Sequence, residues 1–263
     1  MATVFVQFSV RTTMLRKSLL LVCLLFASNM VLAAGTLRVG MSADYPPLHF
    51  KQDGRFAGIE ADSAKAVGKI LSRRIEIVQI PLEGLVSALH AGKVDVLMSG
   101  LSVTAERSQQ VLFAEPYLRV GQMAIMHKSK VGRFSQPWAV YRENVRVGVK
   151  TGSTGAEFAQ RELPDAIVSE FENSEQAFEA LRKDAIDMYI HDAPTSWQLA
   201  NGMENDDLIS LYSPLTEEML AWAVRKDDDA LVSELNRALR LMRANGSLQY
   251  ILNRWIPVTV EVK

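Results

Sequence analysis

The chain has 263 residues, with 29 Lys+Arg against 30 Asp+Glu, a net charge of −1 and one cysteine. Its 48% hydrophobic and 22% charged content is that of a folded globular protein and excludes a disordered or collagen-like chain. One cysteine forms no internal disulfide, and a near-neutral charge lacks the basic face that nucleic-acid binding requires.

The first recognisable element is a leader. Arg16 and Lys17 make a basic start, Leu19 to Ala27 an apolar run, and Ala33 and Ala34 a small-residue close, the order of a secretory signal peptide. Residues 1–33 are assigned to it, with Met1 to Thr13 an upstream extension if Met14 is the true start. The run is short for a membrane anchor, which needs ~20 apolar residues. Cleavage after Ala33 removes Arg11, Arg16, Lys17 and Cys23 but no acid, moving the net charge from −1 to −4 and leaving no thiol. The mature protein is therefore expected outside the cytoplasm, in the periplasm.

Beyond the leader, strands and helices alternate. Leu37–Met41 reads as a strand, and Tyr45-Pro46-Pro47 breaks it into a loop. Ile59 to Leu71 carries Ala61, Ala64, Val67, Ile70 and Leu71 near helical spacing. Arg74 to Ile80 fits a buried strand, Leu82 to Ala91 a short helix stopped by Gly92, and Val94–Met98 the next strand. This βαβαβ order implies a mostly parallel sheet with helices on its faces.

The second half repeats the theme. Arg146-Val-Gly-Val149 resembles Arg38-Val-Gly-Met41, and Ala88 to Gly100 aligns without gaps on Ala180 to Asp192, keeping Ala-Leu and the aspartates Asp95 and Asp187 in register. The expected fold is α/β, with two Rossmann-like lobes. Ligands gather beyond the carboxyl ends of the strands in such sheets. Those ends are Ser99-Gly100-Leu101-Ser102 in one half and His191-Asp192 in the other. Thr104 is placed to cap a short helix that carries Arg107, whose planar fork suits a carboxylate. One wall thus offers a cation and hydrogen-bond donors, and the other an anion, a complement to a zwitterion. Each feature also has a plain reading: Arg107 as a surface residue, Asp192 as a cap before Pro194, Gly152 to Gly155 as a simple turn.

Ala43-Asp-Tyr-Pro-Pro-Leu48, Phe56-Ala-Gly-Ile-Glu60, Ser99 to Arg107, Phe113 to Tyr117, Val147 to Thr154 and Ala185 to Asp192, in that order, resemble family 3 of the bacterial extracellular solute-binding proteins, over essentially all of Gly35 to Pro257. The resemblance implies a periplasmic binding protein of type II: two lobes, joined by two hinge crossings near Gly121 to Ile125 and Met219 to Val224, that close on an amino acid. Lobe 1 would span 35–120 and 221–263, and lobe 2 would span 121–220. It implies Arg107 as the carboxylate-binding Arg, Gly100 and Ser102 as backbone or hydroxyl contacts, Thr154 as the second-lobe donor, Asp192 as the ammonium-binding acid and Tyr45 as the aromatic cover. The expected partners are an amino-acid ligand and an ABC transporter permease in the inner membrane, with no nucleic acid, no cofactor, no metal and a monomeric chain.

Some positions depart from the family's pattern. Leu82 stands where many members carry Phe or Trp, Leu48 replaces a frequent Phe, His191 is an unusual neighbour for Asp192, and Ser42 sits where receptors for cationic amino acids often have Asp. The last change is expected to disfavour Arg, Lys and ornithine. The rival reading is an enzyme on the same fold, a cyclohexadienyl dehydratase, which the chain also resembles in Ser99 to Val103 and Glu115 to Arg119. Dehydration needs a general acid. The position that matches that acid reads as Thr195, and Glu170 and Glu172 are the other acids in reach. His49, His90, His127 and His191 show no paired metal-ligand spacing, and no phosphate loop, dinucleotide fingerprint or serine elbow is present.

Overall fold

The computed structural model describes residues 35–201, 205–211 and 213–256. The leader assigned to 1–33 lies outside the described residues. In chain order the strands are β1 (Thr36–Met41), β2 (Asp44–Tyr45), β3 (His49–Gln52), β4 (Arg55–Ala57), β5 (Arg74–Gln79), β6 (Val96–Leu97), β7 (Val111–Phe113), β8 (Leu118–Val120), β9 (Gln122–His127), β10 (Arg146–Lys150), β11 (Ile167–Phe171), β12 (Met188–Asp192), β13 (Leu208–Ser210), β14 (Glu218–Leu220) and β15 (Ala223–Arg225).

Ten of them build two five-stranded sheets of the same design, ordered β5-β1-β6-β15-β7 and β11-β10-β12-β9-β13, while β2-β3-β4 and β14-β8 form two smaller sheets. In each, the first three strands and the fifth run in one direction and the fourth, β15 or β9, runs against them. The sequence pattern leads to the parallel part. The antiparallel strands arrive from distant chain, so local alternation does not reveal them.

Period-two alternation gives each sheet two apolar faces. In the second sheet Val147, Val149, Met188 and Ile190 pack on one side with Phe158 and Ala159 of the Thr154–Glu162 helix. Ile125 and Tyr189 pack on the other with Phe178 and Leu181 of the Ser174–Arg182 helix. In the first sheet Leu37, Val39 and Met41 meet Ala61, Ala64 and Val67 of the Ile59–Leu71 helix, together with Leu235, Leu239 and Met242 of the Asp229–Ala244 helix. The Leu82–Ala91 segment is a 3-10 turn, Leu82–Gly84, followed by an α-helix, Leu85–His90, and Leu85 and Leu89 cover the opposite face.

The aligned aspartates do the same work in both sheets. Asp95 accepts from the backbone N–H of Arg38 at 2.9 Å and from its guanidinium, which also reaches the Gly92 carbonyl. Asp187 accepts from the backbone N–H of Arg146 at 3.1 Å and from its guanidinium, which also reaches the Asp184 carbonyl. Gly92 and Asp184 both take the left-handed conformation, at φ 66° and 54°.

The chain leaves the first sheet through β8 and returns through β14, and these two strands pair antiparallel. Gly121 follows β8. A Cβ there would stand 2.0 Å from the Thr216 carbonyl oxygen, so only glycine lets the two crossings approach this closely.

Candidate functional site

The carboxyl ends of the two sheets face a shared cavity. Tyr45, Leu82, Gly100, Ser102, Arg107, Thr154 and Asp192, the seven residues singled out from the sequence, all line it. So do Ser42, His49, Ser99, Leu101, Lys150, Ser153 and His191.

Arg107 is held as its sequence context suggests. Thr104 accepts from its backbone N–H at 3.1 Å and caps the Ala105–Gln110 helix. Its guanidinium donates to the Ser102 carbonyl at 3.2 Å and, across to the other wall, to the Gly152 carbonyl at 3.3 Å. Those two neutral acceptors leave donors of the fork for a carboxylate.

Gly100 sits at φ 60°, and a Cβ there would lie 2.8 Å from Leu48 and 3.1 Å from the Tyr45 ring. Its N–H donates to Glu60 Oε1 at 2.8 Å, so what Gly100 can offer a ligand is its carbonyl rather than its N–H. Glu60 is fully buried and also accepts from the Tyr117 hydroxyl at 2.7 Å and the Trp222 indole at 2.9 Å. Burial raises its carboxyl above the ordinary value against the pull of these three donors.

On the opposite wall Ser153 caps the Thr154–Glu162 helix, accepting from the Ala156 N–H at 3.2 Å. The helix therefore presents its N-terminus, which favours negative charge, toward the cavity. The Thr154 and Ser102 hydroxyls both donate to Glu218 Oε2, at 2.7 and 2.5 Å. Glu218 Oε1 accepts from Thr216 at 2.8 Å and Gln122 at 3.1 Å. Glu218, on a crossing strand, thus ties both walls together. The sequence reading missed it because three of its four partners come from distant segments.

Asp192 ends β12, partly open to the cavity but otherwise surrounded by protein. It accepts from the Tyr45 hydroxyl at 2.6 Å and from the Gln122 amide. Burial first, then the neighbouring Glu218, push its carboxyl up to about 7, against the pull of Tyr45, Gln122 and Arg107. The Tyr45 ring packs edge-on to both His49 and His191, at 5.3 and 5.0 Å between centroids. Burial chiefly lowers His49 to about 4 and His191 to about 3, so both are neutral at pH 7.

One ion pair here was not anticipated. Lys150, the last residue of β10, donates to Asp44 Oδ2 at 2.5 Å across the cavity wall. Its side chain is 7% exposed. Asp44 also accepts from Ser42 at 2.8 Å. Burial works to raise the Asp44 carboxyl, but Lys150 and Ser42 bring it below its ordinary value. Of the acids weighed for dehydration, Glu170 and Glu172 are exposed and do not line the cavity, and Thr195 is a buried residue whose hydroxyl lies 3.1 Å from His191 Nδ1. Among the described residues no cluster of three or more His, Cys, Asp or Glu is placed to hold a metal ion, and no helix is long and apolar enough to cross a membrane.

Known proteins are similar to this chain in sequence and in fold. Residues 37–258 match the bacterial extracellular solute-binding proteins, family 3. The ABC transporter arginine-binding protein 1 of Escherichia coli (strain K12) is 28% identical over 229 residues, covering 86% of this chain and 92% of that protein. The crystal structure of the ancestral amino acid-binding protein AncCDT-1, a precursor of cyclohexadienyl dehydratase, is 32% identical with a TM-score of 0.79, covering 86% of this chain and 97% of the other. A binding component of an ABC transporter from Wolinella succinogenes DSM 1740, complexed with lysine, is 26% identical with a TM-score of 0.80, covering 87% and 98%.

Proposed function

We infer the function from one premise: the chain belongs to family 3 of the bacterial extracellular solute-binding proteins. It captures a free amino acid between its two sheets and delivers it to the permease of an ABC importer, by binding rather than turnover. The observation that carries this is the placing of Arg107 and Asp192, one from each half of the molecule, on a single cavity. Only a closed protein lets one zwitterion satisfy both, so the ligand stabilises the closed form by its differential affinity.

In this reading Arg107 takes the α-carboxylate, helped by the helix N-terminus at Thr154 and by the Thr154 and Ser102 hydroxyls, which turn to it from Glu218. Asp192 takes the α-ammonium, with the Gly100 carbonyl beside it, and the ammonium replaces the Tyr45 hydroxyl at Oδ2. Tyr45 and Leu82 cover the ligand. The moving bodies are residues 35–120 with 221–263, and residues 121–220, turning about the β8–β14 pair. The protein works as a monomer in the periplasm after its leader is cleaved.

The test is a thermal-shift screen over the twenty amino acids, with keto acids and prephenate alongside. A ligand that binds the folded state raises the melting temperature by mass action. A rise with one or a few amino acids is the expected result. No rise with any of the twenty, or aromatisation of prephenate, overturns the reading.

A further inference from the structure

We propose that Lys150 sets the cavity's specificity by acting as a resident cation: tethered to Asp44, it holds the carboxylate that a cationic ligand side chain would need and leaves the cavity selective for neutral polar amino acids. The inference rests on the amino-acid-receptor reading and adds the class of side chain to it.

The geometry singles out one end of the cavity. Arg107, Thr154 and Asp192 claim the ligand's main-chain charges, so its side chain is left with the wall formed by Ser42, His49, Ser99, Lys150 and His191. Asp44, behind Ser42, is the carboxylate paired with that wall's cation among the described residues, and its two oxygens are both engaged: Oδ1 by the Ser42 hydroxyl at 2.8 Å and Oδ2 by Lys150 at 2.5 Å. His49 and His191 add no charge at neutral pH. A guanidinium or ammonium arriving here meets a permanently attached ammonium in a poorly solvated site and must compete with it for one carboxylate. Like charges at that range repel strongly once water is excluded. A carboxylate side chain must instead share Lys150 with Asp44. A neutral side chain with oxygen and nitrogen groups displaces nothing and finds hydroxyl, imidazole and ammonium partners along the same wall. The Ser42 substitution noticed in the sequence is thereby only half of the device. An acid is still present two residues on, and Lys150 is what neutralises it.

The ion pair also links the two halves, so its loss alone weakens every ligand alike. The readout that separates specificity from closure is a ratio of affinities. Calorimetric titrations at pH 7.5 with L-lysine, L-arginine and L-glutamine compare the wild type, K150M, K150Q and the double variant D44N/K150M, each first checked for a cooperative thermal melt. The wild type is expected to bind glutamine at least tenfold more tightly than lysine or arginine. K150M or K150Q shifts the lysine-to-glutamine affinity ratio at least tenfold toward lysine, and D44N/K150M returns it. Should neither Lys150 variant fold, D44N alone serves: with Lys150 unpaired, the L-glutamate-to-glutamine ratio rises at least tenfold. A ratio unchanged in the folded variants, or a wild type that prefers lysine, overturns the proposal while leaving the receptor reading intact. Failure of the wild type to bind any of the three, or any other amino acid, removes both.

Discussion

Tyr45 donates its phenol proton to Oδ2 of Asp192 at 2.6 Å, although the two lie 147 positions apart and stand on separate sheets. The hydrogen bond spans the cavity at the point where a ligand's ammonium has to be received, and it holds a carboxyl that its surroundings keep near neutrality.

The sign of that effect on stability follows directly. Folded Asp192 titrates near 7 against an ordinary 3.8, so between those values the folded protein binds the additional proton. Its contribution is therefore most favourable below about pH 4 and is lost as pH rises through 7. D192N should stabilise the ligand-free protein at pH 8, by no more than ~4 kcal/mol and with a higher melting temperature, and leave it nearly unchanged at pH 4. Ligand binding runs the other way: an ammonium needs the ionised form, so the dissociation constant should rise about tenfold per unit as pH falls below 7. Titrations from pH 5 to 8 that give a flat affinity would remove Asp192 from the ammonium site.

Arg107 makes the converse case. R107A should weaken amino-acid binding by about 1.5–3 kcal/mol, the range for hydrogen bonds to charged groups. The residue is half-exposed, and among the described residues its guanidinium hydrogen-bonds two backbone carbonyls, so the melting temperature of the free protein should stay close to that of the wild type. An unchanged dissociation constant by calorimetry would mean that the carboxylate sits elsewhere.

The contrast between these residues and their neighbours shows what a linear pattern can reveal. The Ile59–Leu71 helix is predicted to the residue, because its apolar stripe is a local feature. Val94–Met98 narrows to Val96–Leu97 as a strand, yet its ladder continues through Asp95 N–H to Arg38 and Met98 N–H to Gly40. The Arg38–Asp95 and Arg146–Asp187 locks explain why the two halves align: the same pair of side chains closes each sheet. Arg107 is legible as a cation on a short helix with a recognisable cap, Thr104, just past a strand, and Asp192 as the acid that closes a strand. Lys150 and Asp44 read as ordinary charges, since neither segment shows that the other will face it. Glu218 and Gln122 belong to strands whose neighbours are fixed only once the chain has crossed twice.

Glu60 supports the site from beneath. E60L would leave the Gly100 N–H, the Tyr117 hydroxyl and the Trp222 indole N–H without their shared acceptor inside the core. Each buried unpaired group costs ~1–3 kcal/mol, so chemical denaturation should show a loss of at least about 3 kcal/mol. A loss below 1 kcal/mol would mean that these donors find other acceptors.

At the crossings, G121A drives a methyl group against the Thr216 carbonyl. The β8–β14 pair must spread to admit it, which costs about 1–3 kcal/mol by analogy with overpacking elsewhere. A lowered denaturation midpoint together with a changed radius of gyration in solution scattering is the expected result. An unaltered midpoint would show that the two strands separate easily.

The chain enters the second sheet on β9 and departs from it on β13, and these strands are direct antiparallel neighbours, with Ile125 opposite Ser210 and His127 opposite Leu208. The intervening block closes its own Arg146–Asp187 lock without help from the first sheet. A segment whose ends lie side by side can be excised, or grafted into another host, as a single cassette with a short splice. Ends placed as β9 and β13 place them leave a host chain only a small gap to bridge.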